Sequence, residues 1–63
     1  MNIEIETGQF WKNKQTNILY LISSIKEDLI YFSCFGDSVE VKYQEIKSVF
    51  LENFKYFGRF TFT

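Results

Sequence analysis

The sequence of 63 residues contains no histidine and no proline, and it has one cysteine and three glycines. With Cys34 alone and no histidine, the chain can form neither an internal disulfide nor a structural zinc site. The glycines Gly8, Gly36 and Gly58 are isolated, so there is no glycine-rich phosphate loop. We therefore expect no metal and no cofactor.

The residue types that usually carry catalysis are equally scarce. Glu27 and Asp28 are adjacent in a polar stretch, where neighbouring carboxylates are normally solvated rather than held in a pocket with shifted pKa values. Cys34 has no histidine to activate it, which favours a small buried apolar residue over a nucleophile. We expect that the protein is not an enzyme.

Neither positive nor negative charge is concentrated in one part of the sequence. Seven Lys or Arg and eight Asp or Glu give a formal net charge of −1, spread along the chain. This argues against a protein whose main affinity is for nucleic-acid phosphates, and against one that imitates DNA with a row of carboxylates. The start of the chain lacks a basic or apolar signal segment, and the longest apolar run, residues 18–22, is too short to span a membrane. We expect a cytoplasmic protein.

Aromatic residues are abundant, at 21% of the chain. A domain of this length buries only about 60% of the surface that its unfolded chain exposes, so the margin of stability is small. Each buried aromatic side chain removes about 150–250 Å² from water. We expect a dense aromatic core in place of disulfides or a metal, formed by Trp11, Tyr20, Phe32, Tyr43, Phe50 and Phe54.

The hydrophobic pattern has mainly a period of two, which indicates β-strands. The predicted strands cover residues 9–13, 18–25, 29–35, 39–43 and 56–63. Between the last two strands, Tyr43, Ile46, Phe50 and Phe54 recur at intervals of three or four residues. This spacing predicts one or two helical turns without an evident N-cap, either α-helical or 3₁₀.

Registers follow from the requirement that cross-strand partners share a face of the sheet. A two-residue turn at Gly36-Asp37 is predicted from the glycine at its first central position. That turn predicts the pairs Cys34 with Val39, Phe32 with Val41 and Ile30 with Tyr43.

A turn at Glu27-Asp28 pairs Ile25 with Ile30, but the same count would move Ile22 out of the core. One extra residue at Ser23-Ser24 returns Ile22 to the core face, so we predict a β-bulge there. The predicted pairs are then Ile25 with Ile30, Ile22 with Phe32, Tyr20 with Cys34 and Trp11 with Tyr20. They give a core face, which carries Trp11, Tyr20, Ile22, Ile25, Ile30, Phe32, Cys34, Val39, Val41 and Tyr43.

The opposite face of the sheet is more apolar than a solvent-facing surface should be. It carries Phe10, Leu19, Leu21, Tyr31 and Phe35. The registers predict that Phe10, Leu21 and Ser33 line up across this face and that Tyr31 lies beside Lys42. Either the chain covers this face itself, with Ile3 and Ile5 or with Phe57, Phe60 and Phe62, or a partner does.

Four meandering strands, a helical turn and a closing strand predict an all-β, mainly antiparallel fold, a small five-stranded SH3-like barrel formed by residues 1–63 as a single domain. The segments GQFWKNKQTNILYLISSI, DLIYF and SVFLENF also resemble a family of very short, largely uncharacterised SH3-like barrel proteins from phage and other mobile elements. The resemblance implies this fold and a phage origin, with a host cytoplasmic location. It transfers no active site, and Asn17 stands where the family commonly has a turn glycine.

Two functional hypotheses remain open. The first is a non-enzymatic protein-binding module that uses Phe10, Leu19, Leu21, Tyr31 and Phe35 to bind a partner or to form a homodimer. By analogy, a phage origin would make inhibition of a host protein, such as a defence nuclease, a reasonable role.

The alternative hypothesis is a weak single-stranded nucleic-acid-binding domain, in which bases stack on aromatic side chains and phosphates pair with cations. Its candidate contacts are Lys12, Lys14 and Arg59. Three dispersed cations are a small basis for such a site, so Lys12 and Lys14 are interpreted first as polar residues of a hairpin turn.

Overall fold

The computed structural model describes residues 4–36 and 42–59. It contains five strands and one short helix in the order β1 Gln9–Asn13, β2 Leu19–Lys26, β3 Leu29–Cys34, β4 Tyr43–Ile46, α1 Lys47–Asn53 and β5 Phe54–Arg59. The predicted all-β class and the helical turn before the last strand are confirmed.

The five strands form one antiparallel sheet in the order β4-β3-β2-β1-β5. The meander from β1 to β4 is therefore completed by β5, which returns to pair with β1. The protein is a small SH3-like barrel, in which the two edge strands β4 and β5 are connected by α1 and the sheet itself is not closed.

The hairpin between β1 and β2 is organised by two asparagines. The side-chain oxygen of Asn13 accepts hydrogen bonds from the backbone N–H groups of Gln15, at 2.8 Å, and Thr16, at 3.0 Å. Asn17 has a φ of 63°, in the left-handed region that glycine and asparagine tolerate best. Asn17 thus occupies a turn position where a glycine would also fit.

The predicted β-bulge lies where the sequence indicated. The register between β2 and β3 shifts between Ile22 and Ser24, and the hydroxyl of Ser23 donates a hydrogen bond to the carbonyl of Tyr31 at 3.1 Å. Because the extra residue is absorbed there, apolar residues on both sides of it stay on the core face. The predicted pairs are confirmed: Tyr20 with Cys34, Ile22 with Phe32, Ile25 with Ile30 and Trp11 with Tyr20.

The predicted register between β3 and β4 is wrong by two residues. Phe32 pairs with Tyr43 rather than with Val41, and Ile30 pairs with Glu45 rather than with Tyr43. The fourth strand accordingly begins at Tyr43, where the prediction ended it. The predicted turn residue Asp37 and the partners Val39 and Val41 lie outside the described residues. A shift of two residues keeps each side chain on its face, so the alternating pattern could not detect it.

Helix α1 follows β4 directly, and its seven residues form an α-helix rather than a 3₁₀ segment. Its first residue, Lys47, donates its backbone N–H to the carbonyl of Asp28 at 2.7 Å, while Ile46 at the N-cap makes no side-chain capping bond. Phe50 projects from the helix into the core and is 0% exposed. The helix is thus held by the turn between β2 and β3 and by one aromatic anchor.

The core is built around aromatic rings, as the sequence predicted. Phe50 stacks on Phe54 with their ring centroids 4.2 Å apart, and it meets Trp11 and Phe32 edge-on. Tyr20 packs edge-on against both Phe32 and Phe54. The buried residues are Ile5, Trp11, Ile22, Ile30, Phe32, Phe50 and Phe54.

Three residues at the margin of this core differ in burial or position from what the sequence predicted. Tyr43 stacks on Phe32 but is 42% exposed, because β4 is an edge strand. Cys34 is half-buried rather than buried. Ile5, which precedes β1, belongs to the core cluster, although sequence analysis had considered it a cover for the opposite face.

Within the described ranges, no helix is both long and apolar enough to cross a membrane.

Candidate functional site

The face of the sheet that points away from the core carries the predicted apolar surface. We call it the outer face and define it by Phe10, Leu19, Leu21, Tyr31 and Phe35. Phe10 pairs with Leu21, and Leu21 pairs in turn with Ser33 on β3, so one row of side chains crosses three strands. The predicted alignment of Phe10, Leu21 and Ser33 is confirmed.

The exposed part of the outer face lies at the end of β3. Phe35 is 62% exposed and meets the ring of Phe10 edge-on, with their centroids 5.5 Å apart. The backbone N–H of Phe35 donates to the carbonyl of Leu19 at 2.9 Å, which places the ring beside β2. Phe10, Leu19 and Leu21 are half-buried, so only part of their apolar surface remains in contact with solvent.

The outer face extends further than sequence analysis predicted. Leu29 pairs with Ile46, and these two side chains line an open cleft beside the turn between β2 and β3. Ile46 is 54% exposed. Tyr31 lies between this pair and the rest of the outer face. The prediction that Tyr31 lies beside Lys42 is wrong, because the two-residue shift of β4 pairs Tyr31 with Gln44.

A second extension lies on β5. Phe10 pairs with Gly58, and the next residue, Trp11, pairs with Tyr56. The register therefore shifts at this point, and Phe57 is the extra residue on β5. Phe57 is 58% exposed, and the ammonium of Lys12 lies 4.7 Å from the centroid of its ring. Sequence alone could not reveal this bulge, since it depends on the pairing of strands far apart in the chain.

These positions bear on what covers the outer face. Ile5 is buried in the core on the other side of the sheet, so the prediction that Ile5 covers the outer face is wrong. Phe57 lies at the margin of the outer face and adds exposed aromatic surface to it. The other proposed covering residues, Ile3, Phe60 and Phe62, lie outside the described residues.

Charges are distributed unequally between the two sides of the sheet. Lys12 pairs with Leu19 and Lys55 pairs with Lys12, so both lysines stand on the outer face, and Lys26 stands there opposite Leu29. Among the described strand residues, no carboxylate occupies an outer-face position. Glu45, for example, pairs with the buried Ile30 and thus belongs to the other side.

The three candidate nucleic-acid contacts are not brought together. Arg59 pairs with Gln9 at the start of β1 and forms an ion pair with Glu6, whereas Lys12 lies near the end of β1. Lys14 is exposed in the hairpin turn, with its backbone N–H donated to the carbonyl of Asn53. Arg59 is thus engaged with a carboxylate at a distance from the two lysines.

Sequence analysis missed a buried polar residue, Gln9. Its side-chain oxygen accepts hydrogen bonds from the indole N–H of Trp11 and from the backbone N–H of Glu6, both at 2.9 Å, and its amide nitrogen donates to the carbonyl of Glu4 at 2.9 Å. Gln9 is 3% exposed. This network attaches the segment before β1 to the sheet and places Ile5 in the core, which is a structural role.

The residue types that bind metal ions are dispersed through residues 4–36 and 42–59. These residues contain no group of three or more histidine, cysteine or acidic side chains that could hold a metal ion. Glu27 and Asp28 are exposed in the turn, and the sulfur of Cys34 lies 3.8 Å from the carbonyl oxygen of Phe35. The arrangement that stands out chemically is the apolar outer face with its lysines.

No family model, curated protein or solved structure that was compared with the chain matches it. The resemblance to short phage-associated SH3-like proteins stays a prediction.

Proposed function

We propose that the protein is a non-enzymatic protein-binding module and that the outer face is its binding surface. The observation that carries the proposal is Phe35. Its ring is 62% exposed and packs on Phe10 at the edge of an apolar row, instead of entering the core. Aromatic side chains, including phenylalanine, are enriched at the centres of protein interfaces relative to the rest of the surface.

The size of the surface supports the same proposal. Phe57 and Ile46, both more than half exposed, lie at two separate margins of the outer face, and the half-buried leucines of β2 lie between them. Monomeric proteins rarely expose a contiguous apolar surface of more than a few hundred Å² unless that surface binds something. We therefore interpret the outer face as one extended patch.

The partner in this proposal is a different protein. If the phage origin implied by the resemblance is correct, a host protein is the natural candidate, and inhibition of that protein would follow from occupation of its surface. Homodimer formation through the same face is the competing arrangement, which light scattering distinguishes directly.

The test combines selection of binding peptides with a surface variant. The wild-type protein is immobilised and used to select from a displayed library of random dodecapeptides, in parallel with the double variant Leu21→Ser and Phe35→Ser. We expect the wild type to enrich a consensus that the variant does not, because serine removes apolar area from the centre and the exposed edge of the outer face.

A matched control carries Val49→Ser, at an exposed apolar residue of α1. The control should select the same consensus as the wild type. Circular dichroism confirms that both variants are folded, and light scattering gives the molecular mass. If the wild type enriches no consensus and is monomeric, the proposed function is wrong.

A further inference from the structure

Two lysines stand directly opposite each other on neighbouring strands of the outer face. Lys12 of β1 pairs with Lys55 of β5 in the antiparallel register. Side chains in such positions are about 5 Å apart at their β-carbons, and like charges directly opposite one another destabilise a sheet. The pair is therefore unfavourable for the isolated fold, and an anionic group placed between the two ammonium groups would relieve it.

The surroundings of this pair are apolar and aromatic. Lys12 lies over the ring of Phe57, with its ammonium 4.7 Å from the ring centroid, and its own cross-strand neighbour on β2 is Leu19. A ligand that pairs with the lysines would thus also contact apolar surface on both sides. An acidic protein segment that also contains aromatic or aliphatic residues would offer both kinds of group.

We infer that the partner presents an acidic, apolar-rich segment whose carboxylates lie at Lys12 and Lys55 and whose apolar side chains contact Phe57 and Leu19. This inference rests on the proposed function and deepens it by naming the chemistry of the partner. Charge complementarity supports it, because the described strand positions of the outer face carry Lys12, Lys26 and Lys55 and no carboxylate.

A nucleic acid fits these observations less well. Phosphates would pair with the two lysines and a base could stack on Phe57, but the adjoining surface consists of Leu19, Leu21 and Phe10, which offer little to a polyanion. The protein partner is therefore the occupant that we propose.

The experiment repeats the peptide selection with a charge-reversed protein. Wild type should select dodecapeptides that combine Asp or Glu with aromatic or aliphatic residues. For a synthetic peptide with that consensus, Lys12→Glu and Lys55→Glu together should weaken binding by about tenfold, measured by fluorescence anisotropy, because attraction becomes repulsion at both positions. Affinity of the wild type should fall as salt rises from about 0.1 M to about 1 M, where the screening length shrinks from about 10 Å to about 3 Å.

A control with the same change in net charge carries Lys42→Glu and Lys47→Glu, which flank β4, the strand at the opposite edge of the sheet from β5. It should bind the peptide within about twofold of wild type, since distant exposed charges are largely screened. The double reversal replaces one like-charge pair by another, so the fold should persist, and circular dichroism checks this. Should it unfold, Lys12→Gln with Lys55→Gln removes the charge without repulsion and should still lower the affinity.

The outcomes separate the two proposals. A consensus without acidic residues, or equal binding by the charge-reversed variant and the control, overturns the acidic-partner inference and leaves the protein-binding function standing. Failure to select any consensus, with a monomeric protein, overturns both. If labelled oligothymidylate binds the wild type at low salt and displaces the peptide, the surface is a nucleic-acid site and the inference is wrong.

Discussion

The indole N–H of Trp11 donates a hydrogen bond of 2.9 Å to the side-chain oxygen of Gln9, two residues earlier on the same strand. Both residues are buried on the core side of the sheet. The same oxygen also accepts the backbone N–H of Glu6, so one amide satisfies two donors and connects β1 to the segment before it. No buried side-chain nitrogen or oxygen in the described ranges lacks a hydrogen-bond partner.

Substitution of Gln9 by leucine should therefore destabilise the protein although it increases apolar character. The change leaves the buried indole N–H of Trp11 without its partner, which costs about 1–3 kcal/mol, and it also removes the bonds of Gln9 to the backbone of Glu4 and Glu6. Urea denaturation followed by tryptophan fluorescence measures the loss. Gln44→Leu, at an exposed position of β4, is the control and should stay within about 0.5 kcal/mol of wild type. Equal effects of the two changes would show that the Gln9 network contributes no stability.

Among the residues of α1, Phe50 should be the one whose substitution lowers the stability of the fold most. It is 0% exposed and contacts three aromatic rings, and truncation of a buried phenylalanine to alanine costs about 3–5 kcal/mol. A domain of this length has a total stability of about 3–9 kcal/mol, so Phe50→Ala should be largely unfolded at modest temperature. Phe50→Leu, which keeps most of the volume, should fold with a reduced melting temperature. Val49→Ala, on the exposed side of the helix, should melt close to wild type, and comparable melting of all three variants would contradict this assignment.

Asn17 offers a test of backbone conformation. At a φ of 63°, glycine is unstrained and asparagine is tolerated, whereas other residues with a β-carbon cost about 1–2 kcal/mol. Asn17→Gly should change the free energy of unfolding by a few tenths of a kcal/mol, and Asn17→Ala should lower it by about 1 kcal/mol. Thermal denaturation of the two variants gives the difference. An alanine variant as stable as the glycine variant would mean that the turn does not require the left-handed conformation in solution.

Two phenylalanines near the end of β3 should respond in opposite ways to the same change. Phe32 is 5% exposed and Phe35 is 62% exposed. Phe32→Ser creates a cavity and introduces a hydroxyl into the core, so a loss of more than about 3 kcal/mol is expected. Phe35→Ser should alter stability by less than about 1 kcal/mol, because its ring is mostly in solvent already. Chemical denaturation compares them, and a large loss at Phe35 would indicate a structural role for the outer face.

Much of the sheet could be predicted because its determinants are local. Alternating apolar residues assigned each strand to a face, and the mismatch that arises when Ile22 and Ile25 are both kept in the core predicted the bulge at Ser23-Ser24. The outer face followed from the same count, since Phe10 and Leu21 occupy the positions that alternate with Trp11 and Tyr20.

The register of β4 could not be obtained in this way. Both the predicted pairing of Phe32 with Val41 and the observed pairing with Tyr43 keep the same faces, because they differ by one full period of the strand. The choice between them depends on how Tyr43, Ile46 and Phe50 pack once α1 is attached. That information is spread over elements that meet only in the folded protein.

By itself, the sequence determined the class of fold, the aromatic core, and a sheet that is apolar on both faces. These properties depend on composition and on a period of two along each strand. Only the tertiary structure decided that Gln9 binds the segment before β1, that Ile5 joins the core, and that Lys12, Lys55 and Phe57 meet on the outer face. Each of these is a relation across strands or with an irregular segment, where packing and hydrogen bonding, rather than local pattern, select the neighbours.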